Sequence, residues 1–186
     1  MFNLEKTEEI YVSILVEVWN DLLVHYDKLG ITGGYAHQKE EDLRCLLFSK
    51  IFQLLEKKEM PLLDISTEVK LPKKRIDILL SNEAFNFALG VEIKRKREID
   101  DLGKLGTFMD EEKISIGAFV TFVNRSKNKP FQESPIYQKI KATYAISDKD
   151  NGVNNFIVSK NIRNIDLKIN WAAVLIVMRH KSLEKL

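Results

Sequence analysis

Apolar side chains return at helical spacing along residues 7–28, where Ile10, Tyr11, Ile14, Leu15, Val18, Trp19, Leu22, Leu23 and Tyr26 fall on one face. Thr7 with Glu9 offers a capping region, and Gly30 marks the end. Gly33 and Gly34 place a loop over 31–35. A second helical pattern covers 37–58, with Leu43, Leu46, Leu47, Phe48, Ile51, Phe52, Leu54 and Leu55 making a wide apolar face that stops before Pro61. The period then changes. Residues 65–71 and 75–80 alternate, Asn82 and Glu83 form a turn, and 85–94 is apolar and extended, which predicts three successive strands. A helix over 98–112 carries Ile99, Leu102, Leu105 and Met109 on one face. Residues 115–123 form an apolar strand, 124–133 a polar loop around Pro130, and 134–144 a short helix. Residues 145–168 show no clear period, and 171–178 reads as a buried strand. The order predicts a single α/β domain over 1–186, a mixed central sheet flanked by helices, with an additional N-terminal helix.

Composition narrows this picture. A chain of 186 residues, 45% hydrophobic and 30% charged, is long enough to bury a core without staples. Its single cysteine, Cys45, forbids an intrachain disulfide and reads as a small buried hydrophobe on the second helix, in a reducing compartment. The apolar stretches 114–124 and 171–178 fall short of the roughly 18 residues of a membrane helix. The acidic start MFNLEKTEEI lacks the pattern of a signal peptide, so a cytoplasmic protein without a membrane partner is expected. Charge is unevenly spread: residues 1–68 hold 7 Lys/Arg against 13 Asp/Glu, and residues 69–186 hold 22 against 14. A basic half is either ordinary solvated surface or a pointer to a polyanion.

The chemistry sits in that half. In Arg75-Ile76-Asp77-Ile78-Leu79-Leu80, strand alternation turns Ile76, Ile78 and Leu80 one way and Asp77 the other. In Gly90-Val91-Glu92-Ile93-Lys94, Val91 and Ile93 face the core while Glu92 and Lys94 share the opposite face. If the two strands pair as a hairpin, two acids and a lysine converge. Charges flanked by Ile, Val and Leu are costly unless paired or bound to metal. Two adjacent carboxylates repel each other, and a divalent cation with hard oxygen ligands, such as Mg²⁺, relieves that. A lysine two residues on can hold or deprotonate an attacking water. The bland alternative is a structural salt bridge from Lys94 to Asp77 or Glu92.

This series resembles the PD-(D/E)xK nuclease superfamily, the restriction-endonuclease-like fold, whose pattern is an acid on one strand and acid-x-Lys on the next. Asp77 matches the first position and Glu92-Ile93-Lys94 the second; Ile76 stands where the family name has proline. The resemblance covers 37–123. It implies a site in which Asp77, Glu92 and the Ile93 backbone carbonyl bind metal and Lys94 activates water. It further implies an acid on the preceding helix, with Glu40 favoured over Glu41 because Glu40 leads the row Leu43, Leu47 and Ile51. Lys104, in Asp100-Asp101-Leu102-Gly103-Lys104-Leu105, resembles the basic residue that often faces the site from the next helix.

The expectation is a Mg²⁺-dependent endo- or exodeoxyribonuclease, with Mn²⁺ able to substitute and Glu40 supporting a second metal or a water. DNA over RNA follows from the resemblance alone. Lys96, Arg97, Lys104, Arg125 and Lys127 are the candidate nucleic-acid contacts, each equally at home as solvated surface charge. Glu68 reads as either a surface glutamate or an acid aimed at the site. His25, His37 and His180 lack metal-ligand spacing, and no phosphate-binding G-x-x-x-x-G-K-[ST] run occurs. The rival expectation is an inactive nucleic-acid-binding or scaffold protein on the same fold. The helix 7–28 reads as core or as the face of a homodimer.

Overall fold

The architecture was derived from a computed structural model that describes residues 4–28, 40–58, 64–70, 75–82, 87–94, 100–111, 114–124, 130–148, 155–164 and 169–179. Helices α1 (Leu4–Lys28) and α2 (Glu40–Lys57) come first. Strands β1 (Asp64–Lys70), β2 (Arg75–Asn82) and β3 (Phe87–Lys94) follow, then helix α3 (Asp100–Asp110) and strand β4 (Ile116–Asn124). A 3-10 turn at Phe131–Glu133 leads into α4 (Pro135–Tyr144), and β5 (Phe156–Asn164) and β6 (Ile169–Arg179) complete the chain. The six strands form one mixed sheet in the order β1-β2-β3-β4-β6-β5. β3 and β4 run parallel, with α3 as their crossover, and the other neighbours are antiparallel.

Both faces of the sheet are covered, which makes the protein a three-layer α/β domain. On one face, α1 and α2 pack Trp19, Leu22, Leu47 and Ile51 against Ile78, Val91, Ala118 and Leu175. On the other, α3, the 3-10 turn and α4 pack Leu105, Phe131 and Tyr137 against Phe119, Val174 and Ile176. This two-sided burial explains the uninterrupted apolar run of β6, whose residues alternate between the two cores. Among the described residues, no helix is long and apolar enough to cross a membrane.

Most of the expected elements appear, with three corrections. The segment without a clear period contains β5, which pairs along its whole length with β6. Asn82 continues β2 rather than starting a turn, and Glu83 lies outside the described residues. Cys45 and Phe52 are exposed, not buried. The buried stripe of α2 is Leu43, Leu47, Ile51 and Leu55, and Cys45 lies two residues, about 200°, from Leu43. Helix α1 is core: Tyr11, Ile14, Leu15, Val18, Trp19, Leu22 and Leu23 are all buried, whereas Ile10 is at the surface.

The fold therefore predicts contrasting responses on the two helices. Trp19→Ala removes a fully buried side chain that packs beside Phe122, and urea denaturation should show a loss of about 3–5 kcal/mol. Cys45→Ser should change stability by no more than about 0.5 kcal/mol. A neutral Trp19→Ala would mean that α1 is not part of the core.

Candidate active site

The site begins where two strands part. The β2–β3 register runs from Asn82–Phe87 to Ile78–Val91. Beyond Val91, β3 stays paired with β4 as far as Lys94–Thr121, while β2 stays paired with β1 as far as Arg75–Lys70. The next opposed positions, Asp77 and Glu92, thus sit at a fork. There the Asp77 side chain takes over from the main chain: its Oδ2 accepts the Ile93 N–H at 2.8 Å. In an extended strand the amide and carbonyl of one residue leave on the same edge, so the Ile93 carbonyl is also directed into the fork.

Local alternation fails here. Ile76 joins the core under α3, whereas Ile78 and Leu80 join the core under α1 and α2, so these three do not share a face as their spacing implied. The register from Thr67–Ile78 to Val69–Ile76 sets Glu68 opposite Asp77, and Glu68 has a positive φ of 53°. This kink in β1, together with the release of β2 from β3, reorients β2 between Ile76 and Ile78. Gly90 makes room for the result, since a Cβ there would meet Ile76 Cδ1 at 3.0 Å.

Among the described residues, Glu92 is the most buried charged group, with 1% of its surface exposed. Lys104 Nζ on α3 lies 2.5 Å from its Oε1 and is itself largely buried. Lys104 thus engages a site acid, a contact its reading as a nucleic-acid residue did not include. At the end of β3, Lys94 Nζ lies 3.7 Å from Glu40 Oε2 at the first residue of α2. The adjacent Glu41 is exposed. Lys94 thus meets Glu40 and also acts electrostatically on Asp77, while Glu92 meets Lys104. Arg44, one turn after Glu40, places Nη1 3.8 Å from Asp77 Oδ1. Lys96, Arg97, Arg125 and Lys127 lie outside the described residues.

Electrostatics agree with this convergence. Burial pushes the Asp77 carboxyl above the usual aspartate value, outweighing the Ile93 N–H and the positive charges of Lys104, Lys94 and Arg44, which pull it down. Three cations from α2, β3 and α3 therefore act on one carboxylate of β2. Two of the group, Arg44 and the Glu92 partner role of Lys104, escaped sequence reading. The signal for Arg44 was its place four residues after Glu40, on the same helix face. Lys104 is flanked by the buried Leu102 and Leu105, so α3 directs it at Glu92 of the interior strand β3.

Among the described residues, no group of three or more His, Cys, Asp or Glu side chains is arranged to hold a metal ion. The donor set at the fork is smaller: the Asp77 and Glu92 carboxylates and the Ile93 carbonyl. Two carboxylates and a carbonyl fit a hard cation that keeps several of its waters, as Mg²⁺ does. The buried Glu92 also needs a positive partner, and Lys104 fills that role here.

Removing that partner should be costly. Lys104→Met should destabilise the protein by about 3–5 kcal/mol in chemical denaturation, because it strands a buried carboxylate. Adding Glu92→Gln should recover most of the loss; an additive double mutant would contradict the pairing.

The Asp77 shift predicts a pH dependence. A carboxyl whose folded value is raised holds its proton more tightly in the folded state. Its ionisation costs nothing below the ordinary aspartate value, and the cost develops as pH rises through the folded value. Asp77→Asn should accordingly melt higher than wild type at neutral pH, with the gap closing as pH falls toward about 4. A gap that widens on acidification would contradict the burial of Asp77.

Compared with protein-family models, curated proteins and solved structures, the chain matches none, so the reading of the fork rests on its own residues and geometry.

Proposed function

We propose that the fork is the active site of a Mg²⁺-dependent nuclease of PD-(D/E)xK type, hydrolysing phosphodiester bonds in DNA. The observation that carries this reading is the meeting of Asp77 with the Glu92-Ile93-Lys94 strand through the Ile93 N–H, at the point where β2 leaves β3. A buried, cation-paired carboxylate beside a second carboxylate of raised proton affinity is the kind of perturbed cluster that marks a functional site.

In this reading Asp77, Glu92 and the Ile93 carbonyl hold the metal. When bound, it supplies Lewis-acid polarisation of the phosphate and charge neutralisation. Hydrolysis forms a bond from water oxygen to phosphorus, releases a water proton and sends the departing sugar oxygen off protonated. Lys94, held as an ammonium by Glu40 3.7 Å from its Nζ, would orient the water by donating to it, and solvent would take the water proton and return one to the departing oxygen. With a cation bound at Glu92, Lys104 would be free to contact the phosphate. Mn²⁺ fits the same donors.

A second reading has its own support. Lys104 already balances Glu92, and no three-acid cluster occurs among the described residues, as in a structural ion pair on an inactive nucleic-acid-binding protein. Cleavage of plasmid DNA separates the two. Purified protein should cut with Mg²⁺ or Mn²⁺ and not with chelator, and Lys94→Ala should lower the rate about 10²–10⁴-fold while remaining folded. Glu40→Gln should slow cleavage and Glu41→Gln should not. Metal-independent cleavage, or a Lys94→Ala protein that cuts normally, sinks the proposal.

A further inference from the structure

Beside the fork lies a second charged constellation that the hydrolytic reading does not use. Glu68, in the edge strand β1, holds two arginines from different elements. Its Oε1 accepts from Arg44 Nη1 of α2 at 2.7 Å, and its Oε2 accepts from Arg75 Nη1 of β2 at 3.2 Å. Arg44 in turn stands 3.8 Å from Asp77. The grouping therefore runs continuously from the surface into the candidate site.

Two features set this apart from a stability device. First, Glu68 adopts a φ of 53° in the middle of a strand, a conformation unfavourable for any residue with a Cβ. Second, its pair with Arg75 is open to solvent, with the Glu68 side chain 45% exposed and that of Arg75 59%, whereas Arg44 is mostly buried. An ion pair as exposed as Glu68–Arg75 adds little to stability. The strain does achieve something else, in that it brings one carboxylate between two guanidinium groups. A guanidinium carries five N–H donors in a planar fork, and each arginine gives Glu68 one Nη1 donor. Glu68 cancels one of the two positive charges and fixes both forks in place, which leaves a net positive, pre-ordered pair at the mouth of the site. That chemistry matches a tetrahedral phosphate, which planar forks recognise by paired donors.

We infer that Arg44 and Arg75, tied together by Glu68, form a clamp for the nucleic-acid backbone phosphate next to the one being cut. The inference rests on the nuclease reading and adds to it a substrate subsite and three residues. Arg44 and Arg75 touch the phosphate, and Glu68 is a positioning residue that acts through them.

The test uses full-length protein carrying Lys94→Ala to suppress cutting. Binding of a fluorescein-labelled DNA duplex is followed by anisotropy in Ca²⁺ over a series of salt concentrations. Arg75→Gln should weaken binding about tenfold and lower the salt slope by about 0.9, the loss of one phosphate contact. Arg44→Gln should do the same. Arg75 is exposed, so its variant keeps the test open if Arg44→Gln fails to fold. Glu68→Gln is the decisive variant, because it raises the net charge by one. A charge effect alone would tighten binding, whereas loss of a clamp must weaken it. Unchanged slopes in both arginine variants, or a Glu68→Gln protein that binds as tightly as its parent, overturns the clamp and leaves the nuclease reading standing. If the parent binds no duplex, clamp and nuclease reading fall together.

Discussion

A carboxylate buried inside a sheet covered on both faces must have a cation, and in this protein that carboxylate is Glu92. Strand β3 lies between β2 and β4, with α2 near one face and α3 on the other, so Glu92 is almost wholly removed from bulk solvent. Much of the local architecture follows from this requirement. Helix α3 must present Lys104 to the strand while Leu102 and Leu105 bury beside it, which fixes the rotation of the helix. A loosely packed crossover would leave the charge stranded. Gly117 permits this closeness, since a Cβ there would meet Leu105 Cβ at 3.3 Å.

The parting of β2 from β3 supplies the second half of the arrangement. Had the ladder continued, Asp77 would be one more cross-strand position opposite Glu92. Instead its carboxylate satisfies the Ile93 amide, and burial makes its ionisation costly. The kink at Glu68 turns β2 at the same level. Two costs are thus concentrated at one end of the sheet, a buried charge and a strained backbone. Such concentration, where it recurs in proteins, marks function more often than stability.

The pairing of β2 and β3, and the membership of Asp77, Glu92 and Lys94 in adjacent strands, were legible in sequence because a strand has a period of two and its apolar flanks are distinctive. The phase of α2 was legible for a similar reason: Leu43, Leu47 and Ile51 define a stripe, and Glu40 extends it by one turn. What depended on tertiary contact was not legible. Cys45 and Phe52 are apolar yet exposed, since helix packing uses one stripe and not every apolar residue. Strand β5 was hidden because Lys160 and Asn161 interrupt its alternation at an edge, where polar residues are tolerated. The break in alternation between Ile76 and Ile78 required knowing that Glu68 lay opposite with a positive φ, which no local pattern announces.

The central claim is that the fork is built to exchange Lys104 for a divalent cation. Anomalous diffraction from a crystal soaked in Mn²⁺ tests this most directly. The account predicts a peak bounded by the Asp77 and Glu92 carboxylates and the Ile93 carbonyl, with Lys104 Nζ moved off Glu92. A crystal equilibrated with millimolar Mn²⁺ that shows no peak there, with Lys104 still bonded to Glu92, would contradict it.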